Sequence, residues 1–137
     1  MAQSRVTNGS LTVTDQKASI LVVEDELMVS ALIADILVDS GLKVAGPFRS
    51  NRDCLNFLEH DRPDAAVLDF NIADGNSGPI AKRLQELGVP FIVASAYPKE
   101  IASGPVVSAL RWISKPFSET SLTEGVCACL FSVSFKT

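Results

Sequence analysis

Short apolar runs recur along the chain, and each is bounded by Gly, Pro, Asn or charged residues. Runs of this length that are rich in β-branched residues are typical of strands. They predict five strands, at residues 19–24, 43–48, 65–69, 90–95 and 111–114. Most of these runs are too apolar to leave one face in water, which favours a parallel sheet covered on both sides.

Segments with helical spacing separate the predicted strands. Apolar residues recur in three groups: Val29, Leu32, Ile33 and Ile36; Cys54, Leu55 and Leu58; Ile80, Leu84 and Leu87. Ser50 with Asp53 forms a capping pair for the second helix, and Pro79 suits the first turn of the third. Strands that alternate with helices predict an α/β fold with three layers.

The last third of the chain departs from this regularity. Gly104 and Pro105 fall in the middle of the expected fourth helix, so we expect that helix to be short, broken or absent. A final helix begins after a Ser118 cap and includes Leu122, Val126 and Leu130. Beyond it, the alternation of Phe131, Val133 and Phe135 predicts an edge strand or extended arm.

Length and composition exclude several classes of protein. A chain of 137 residues, 47% of them hydrophobic, has room for one domain with a buried core. The formal net charge of −4 disfavours a nucleic-acid surface. The polar N-terminus lacks the apolar segment of a signal peptide, and no run is long enough to span a bilayer. We therefore expect a cytoplasmic protein with a polar tail at 1–18, a domain at 19–132 and a C-terminal tail at 133–137.

Three cysteines, Cys54, Cys127 and Cys129, are odd in number and lack the spacing of a metal site. Reduced thiols are the simplest interpretation.

Acidic residues follow two of the predicted strands. Glu24, Asp25 and Glu26 end the first strand, and Asp69 ends the third. In an open parallel sheet the carboxyl ends of the strands share one edge, so Glu24, Asp25 and Asp69 should converge. A cation must offset such a cluster, and carboxylate oxygens suit Mg²⁺. The alternative is that these acids only cap the first helix, and for Glu26 we favour that role.

A hydroxyl and an amine follow two further strands at the same edge. Ser95 ends the fourth strand, and Lys115 follows the fifth. Together with a metal they form a place for a phosphoryl group, and Asp69 is then the nucleophile that accepts it. Each residue alone has an ordinary explanation as a turn or loop residue. The hypothesis rests on their agreement in position.

The segments "ILVVEDE", "AVLDFNI", "IVASAY" and "WISKPF" resemble the four signature segments of bacterial two-component response-regulator receiver domains. The match covers about residues 18–132, with all four segments in order. The resemblance implies a flavodoxin-like, doubly wound (β/α)5 fold with a five-stranded parallel sheet. It also implies a signalling phosphoacceptor that is not a turnover enzyme.

The resemblance assigns a role to each matching residue. Asp69 is implied to be the phosphoacceptor and a Mg²⁺ ligand, with Asp25 a direct ligand and Glu24 a ligand through water. The main-chain carbonyl of Asn71 is implied to be a further ligand. Ser95 is implied to be the switch hydroxyl and Lys115 the phosphoryl-binding lysine.

Two further implications concern the segment around Lys115. A cis peptide is implied to precede Pro116. Trp112 stands where the family usually has a switch Tyr or Phe, although an indole that merely covers the sheet edge is an equal alternative.

Some features differ from the common family pattern. Ala73 stands in place of the usual Pro after Asp69, and the loop "IADGNSGP" is about one residue longer than usual. Ser95, Ala96 and Tyr97 are similar to the last three places of a single-domain subfamily whose signature is Phe-Ala-Thr-Gly-Tyr. This second similarity indicates a stand-alone regulator whose fourth helix is irregular.

Rival functions fit less well. A haloacid-dehalogenase-like phosphatase needs Asp-x-Asp, but Asn71 occupies the second position and cannot act as a general acid. A nucleotide-binding module needs a Gly-rich loop after the first strand, where this chain has acids. The remaining alternative is a receiver-like interaction module that no longer accepts phosphate.

The expected partner is a sensor histidine kinase or a histidine phosphotransferase, with no role for nucleic acid or membrane. Output is expected through protein contact, because no output domain follows the last helix. The apolar closing segment 130–135 either folds back on its own domain or packs against a second copy. We favour a homodimer through the C-terminal helix and tail.

Overall fold

A computed structural model describes residues 17–136 of the chain, and for residues 133–136 it describes the backbone alone. The described residues form seven strands: β1 Ser19–Val23, β2 Lys43–Phe48, β3 Ala65–Leu68, β4 Asn71–Ile72, β5 Gly75–Asn76, β6 Phe91–Ser95 and β7 Arg111–Ser114. Four α-helices accompany them: α1 Leu27–Asp39, α2 Asn51–Leu58, α3 Gly78–Leu87 and α4 Glu119–Lys136. All five predicted strands are present, with bounds that differ by at most one residue.

Five strands form a parallel sheet in the order β2-β1-β3-β6-β7. The chain steps outward from β1 to β2 and then returns to β3 on the other side of β1. The order of the strands therefore reverses between β1 and β3, and in open α/β sheets ligands bind at the carboxyl ends of the strands beside such a point. The predicted doubly wound, flavodoxin-like fold is confirmed.

Two hydrophobic cores cover the two faces of the sheet. Alternate residues of β1 point to opposite faces, as the period of two in a strand requires. Leu21 and Val23 join the core under α2 and α3, while Ile20 and Val22 join the core under α1 and α4. Burial on both faces explains why the three inner strands, β1, β3 and β6, are almost entirely apolar.

The predicted helix starts are confirmed by their capping contacts. The hydroxyl oxygen of Ser50 accepts a 3.1 Å hydrogen bond from the Asp53 N–H at the start of α2. Ser118 accepts a 3.0 Å bond from the Ser121 N–H at the start of α4. Pro79 lies in the first turn of α3. These bonds satisfy N–H groups that a helix start otherwise leaves without partners.

The predicted disruption of the fourth helix is also confirmed. Two short 3₁₀ turns, Lys99–Ile101 and Gly104–Ser108, replace it. Gly104 has a φ of 78°, a left-handed conformation that glycine adopts without a steric penalty, and Pro105 follows it. Because these residues cannot continue an α-helix, the connection between β6 and β7 stays irregular.

The structure corrects the prediction for the closing segment. Residues 131–136, expected to form an edge strand or extended arm, continue α4, which ends at Lys136. Alternation over so few residues is a weak signal for a strand, and a helix already nucleated at Ser118 extends at little cost. The side chains of Val133 and Phe135 lie outside the described part of the chain. The tail expected at 1–18 also falls mostly outside it.

Helix α1 buries only part of its apolar surface. Leu32, one of its regularly spaced apolar residues, is 51% exposed, while Leu37 is fully buried. Leu27 and Met28 in the first turn are also exposed. The helix is apolar on most of its surface, so spacing alone does not identify its buried side. None of the helices described is long and apolar enough to cross a membrane.

Candidate functional site

Strands β1 and β3 bring three acidic residues together. Each strand ends just before its acid, and the main-chain N–H of Asp69 donates a 2.9 Å hydrogen bond to the Val23 carbonyl. Carboxylate oxygens of Glu24, Asp25 and Asp69 lie within 4.8 Å of one another. Glu24 is 1% exposed and Asp69 is 9% exposed, whereas Asp25 is half-buried. The convergence predicted from the strand ends is therefore present.

Lys115 reaches the same cluster from the end of β7. Its ammonium donates a hydrogen bond of 2.6 Å to Glu24 Oε1 and one of 3.1 Å to Asp69 Oδ2. The main-chain N–H of Lys115 donates a 2.9 Å bond to the Ser95 carbonyl, which fixes the start of the loop after β7. The peptide bond between Lys115 and Pro116 is cis, as the resemblance implies. The contact between Lys115 and Glu24 was not predicted.

Burial and charge oppose each other at this cluster. Burial raises the pKa of Glu24, and the hydrogen bond from Lys115 lowers it without cancelling that effect. Burial alone would lower the pKa of Lys115, but the hydrogen bond to Glu24 and the charge of Asp69 outweigh it and raise the pKa. One ammonium thus contacts two of the three clustered carboxyl groups. When ionised, these three groups carry more negative charge than the lysine neutralises, which favours a further cation at the cluster.

The structure partly corrects the role expected for Glu26. Glu26 occupies the position before the first turn of α1 and is exposed, but its side chain makes no capping hydrogen bond within the described part of the chain. Instead, Glu24 Oε2 accepts a 3.1 Å hydrogen bond from the Glu26 N–H. The buried Glu24 therefore contacts both the start of α1 and Lys115.

Ser95 lies at the end of β6 and is fully buried. Its hydroxyl oxygen accepts a 3.0 Å hydrogen bond from the Tyr97 N–H. The Tyr97 carbonyl in turn accepts a 2.9 Å bond from the indole N–H of Trp112. A chain of contacts thus links Ser95, beside the acidic cluster, to the indole on β7.

Three aromatic rings pack together at this chain of contacts. The ring of Phe70, next to Asp69, lies 5.9 Å from that of Trp112 and 6.2 Å from that of Tyr97, measured between centroids. Trp112 is half-buried against the core under α2 and α3, and Tyr97 is 47% exposed. Trp112 is therefore packed and hydrogen-bonded in this state.

Asn71 is exposed and begins β4, two residues after Asp69. Strands β4 and β5 form an antiparallel hairpin in which Asn71 pairs with Asn76 and Ile72 with Gly75. Sequence reasoning treated this stretch as a loop about one residue too long. Asp74-Gly75, where the turn meets β5, was a usable signal, because such pairs favour hairpin turns.

A cavity of about 370 Å³ opens beside Lys115. Val29 and Leu32 of α1 line one side, and Pro116 and Phe117 line the other. The exposed Leu27 and Met28 lie in the first turn of the same helix. The acidic cluster thus adjoins an apolar recess.

Residues 20–126 match the family model described as the response regulator receiver domain. This chain belongs to that family. The chain is 28% identical over 120 residues to the phyllosphere-induced regulator PhyR of Methylorubrum extorquens, covering 85% of this chain and 45% of PhyR. It spans less than half the length of the curated relatives that it matches.

Solved structures of receivers share the fold. The solution structure of the Erythrobacter litoralis PhyR receiver domain matches with a TM-score of 0.75 and 25% identity, covering 85% of this chain and 92% of that one. TrrA of Thermotoga maritima, solved in complex with Mg²⁺ and BeF, matches with a TM-score of 0.73 and 21% identity, covering 82% and 99%. The comparisons confirm the predicted family and fold.

Proposed function

We propose that this receiver is a phosphoryl-accepting response regulator of a two-component phosphorelay, with Asp69 as the acceptor. The observation that supports it best is the meeting of Asp69 with Glu24, Asp25 and Lys115 at the carboxyl end of the sheet. Asp69 is mostly buried and hydrogen-bonded to an ammonium that can also contact a phosphoryl oxygen.

The donor set suits Mg²⁺. The carboxylates of Asp25 and Asp69 would hold the ion directly, Glu24 would act through water, and the Asn71 carbonyl would add a neutral oxygen. Oxygen donors that include carboxylates and leave room for water are the ligands Mg²⁺ prefers. When bound, the ion offsets charge on the transferring phosphoryl group. TrrA, which shares the fold, was solved with Mg²⁺ and BeF.

The chain's own residues position the reaction. A carboxylate oxygen of Asp69 attacks the phosphorus of a phosphohistidine on the partner. The new P–O bond forms as the P–N bond breaks, and the histidine nitrogen leaves with the bonding pair and takes a proton. Lys115 stays beside Asp69 and neutralises phosphoryl charge, so catalysis comes from positioning and electrostatics.

Signalling follows from a rearrangement around Ser95. A phosphoryl group on Asp69 draws the Ser95 hydroxyl inward. The Tyr97 N–H, which is bonded to that hydroxyl in the unphosphorylated protein, then loses its acceptor. The change passes to the Tyr97 carbonyl and so to Trp112. Phosphorylation thereby shifts an equilibrium between two surface states. Such a protein signals by contact with other proteins and is not a turnover enzyme.

The proposed partner is a sensor histidine kinase or a histidine phosphotransferase. Its histidine must reach Asp69. The apolar recess beside Lys115 offers a hydrophobic surface that the partner can contact as it approaches. The alternative is a receiver-like interaction module that no longer accepts phosphate. Asp69, Lys115 and Ser95 lie at the same edge of the sheet, where Lys115 is hydrogen-bonded to both of the others. This arrangement favours the phosphoacceptor over the interaction module.

We also propose a homodimer through α4. Phe131 on this helix is 61% exposed, and a cavity of about 630 Å³ lies between Arg111 of β7 and the α4 residues Cys127 and Phe131. Sedimentation of the intact chain beside one truncated after Cys129 tests this. A dimer that dissociates on truncation supports the proposal, and two monomers at micromolar concentration contradict it.

The phosphoacceptor role is tested with a small phosphodonor such as acetyl phosphate. Wild-type protein should gain one phosphoryl group, measured as intact mass, only when Mg²⁺ is present. Asp69→Asn keeps nearly the same side-chain shape and should not be labelled. Asp64→Asn is a matched control, because Asp64 is exposed and precedes the same strand. Equal labelling of the Asp69 variant would show that another residue is the acceptor.

A further inference from the structure

Asp74 fastens the β4–β5 hairpin to the start of α2. Its Oδ1 accepts a 2.8 Å hydrogen bond from the Asn51 N–H and a 3.2 Å bond from the Asn51 side-chain amide. Its Oδ2 accepts a 3.1 Å bond from the Arg52 N–H. Both carboxylate oxygens are therefore bound to a helix more than twenty residues earlier in the chain.

Further hydrogen bonds hold the hairpin in place. The side-chain amide of Asn51 also donates a 2.9 Å bond to the Asn76 carbonyl, so Asn51 contacts the tip of the hairpin and its second strand. The Ala73 N–H donates a 3.0 Å bond to the Arg49 carbonyl. At the base of the hairpin, the Ser77 N–H donates a 2.8 Å bond to the Phe70 carbonyl. The hairpin is held at its tip and at its base.

The two strands of the hairpin themselves bury little surface. Each strand is two residues long, and only Ile72 among the four strand residues is buried. A two-stranded hairpin without a hydrophobic face is marginally stable in water. The conformation of Asn71, which pairs with Asn76, therefore depends on contacts to the rest of the domain.

The hydrogen bonds between Asp74 and the start of α2 are of a strong kind. The first N–H groups of a helix have no partner within it, and the positive end of the helix dipole lies there. A carboxylate that accepts two such N–H groups satisfies both with charge-assisted bonds. These bonds hold the pKa of Asp74 below its usual value.

We propose that Asp74 is a positioning residue for the metal site. By tying the hairpin to α2, it holds the main chain at Asn71 where its carbonyl can serve as a Mg²⁺ ligand two residues after Asp69. The inference rests on the proposed function, because it needs Mg²⁺ at the cluster of Glu24, Asp25 and Asp69.

The test is a calorimetric titration of the unphosphorylated protein with Mg²⁺ alone. Asp74→Ala should weaken Mg²⁺ affinity roughly tenfold, the size of effect typical of groups that orient a ligand from outside the coordination sphere. Asp53→Ala is the matched control, because Asp53 is an exposed acid in the first turn of the same helix. That variant removes the same charge and should keep the wild-type affinity.

A rate measurement separates positioning from general damage. With acetyl phosphate, Asp74→Ala should need more Mg²⁺ to reach half of its maximal labelling rate, and the maximal rate should match that of the wild type. If Asp74→Ala does not fold, Asp74→Asn replaces it, because it keeps one oxygen acceptor for Asn51. Asp74→Asn should then fall between the wild type and the tenfold loss.

Wild-type Mg²⁺ affinity in the Asp74 variants would overturn the inference, and so would equal weakening in Asp53→Ala. A lower rate at saturating Mg²⁺ with unchanged affinity would also overturn it. The proposed function fails separately, because it fails when wild-type protein is not labelled at Asp69, whatever the Mg²⁺ titrations give.

Discussion

The ammonium of Lys115 lies 2.6 Å from the carboxylate of Glu24, closer than the 3.1 Å that separates it from Asp69. In this state the lysine neutralises a buried acid next to Asp69, the proposed phosphoacceptor. A phosphoryl group on Asp69 would attract the Lys115 ammonium. Movement of the ammonium toward that group would weaken its contact with Glu24. Glu24 would then lose its ammonium partner, which is consistent with the proposed metal in the same cluster.

Lys115→Met should destabilise the metal-free protein. The change leaves the Glu24 and Asp69 carboxyl groups without their cation, and removing one partner from a buried ion pair costs about 3 kcal/mol. Thermal unfolding in EDTA should show the loss, and Mg²⁺ should recover more of it in the variant than in the wild type. Lys82→Met, at an exposed position of α3, is the control. Equal unfolding of the two variants would argue against the ion pair.

Asp25→Asn should weaken Mg²⁺ binding at least roughly tenfold, since it replaces the anionic oxygen of a proposed ligand with a neutral one. Glu26→Gln removes the same charge from the neighbouring, exposed residue and should change the affinity little. Calorimetry on both variants gives the comparison. Similar affinities in the two variants would mean that only the net charge of the site matters.

Trp112 should change its exposure little on phosphorylation. Its indole N–H is bonded to the Tyr97 carbonyl, and its ring packs near Phe70. It is the only tryptophan in the chain, so acrylamide quenching of its fluorescence reports this site alone. A large increase or decrease in quenching after phosphorylation would show that the ring moves in or out as a whole.

Trp112→Phe should loosen the loop after β6. The substitution keeps an aromatic ring but removes the donor to Tyr97, and a lost neutral hydrogen bond costs about 1 kcal/mol. Chemical denaturation should detect the loss. Faster hydrogen exchange at the Tyr97 N–H, which bonds to Ser95, would place the effect at the proposed switch hydroxyl. Unchanged exchange would contradict the link from Trp112 to Ser95.

The thiols should differ in reactivity. Cys127 is exposed, whereas Cys54 and Cys129 are buried, and burial raises the pKa of both buried thiols to about 12. Because the thiolate is the reactive form, a disulfide reagent near pH 8 should modify one cysteine in the native protein and three in denaturant. Rapid reaction of more than one thiol in the native protein would contradict this burial.

The same shifts predict a loss of stability at high pH. A thiol whose folded-state pKa is raised keeps its proton in the native protein after the unfolded chain has lost it. Its contribution is complete below the unfolded value of about 9 and falls as the pH rises toward 12. Denaturant midpoints measured upward from pH 8 should decline, and Cys54→Ala should reduce the slope of that decline.

Much of this architecture could be predicted because it depends on local pattern. The three inner strands are apolar on both faces. The residues at or just after the strand ends, Glu24, Asp69, Ser95 and Lys115, lie together because the carboxyl ends of parallel strands share one edge. The break at Gly104 follows from the backbone geometry of glycine and proline. These features do not depend on details of side-chain packing.

The features that were missed depend on tertiary contacts. The bond from Lys115 to Glu24 joins residues that are far apart in sequence. The β4–β5 hairpin is held by Asp74 against α2, and no local pattern specifies that partner. The prediction for the end of α4 was wrong, because a short alternation gave no basis for choosing between strand and helix.

The most direct test of the central claim maps the phosphoryl group chemically. After incubation with acetyl phosphate and Mg²⁺, borohydride reduces an acyl phosphate on an aspartate to homoserine, which peptide mass spectrometry locates. The account predicts homoserine at position 69 in the wild-type protein and none when Mg²⁺ is removed with EDTA. Reduction at another position, or no acyl phosphate at all in Mg²⁺, would contradict it.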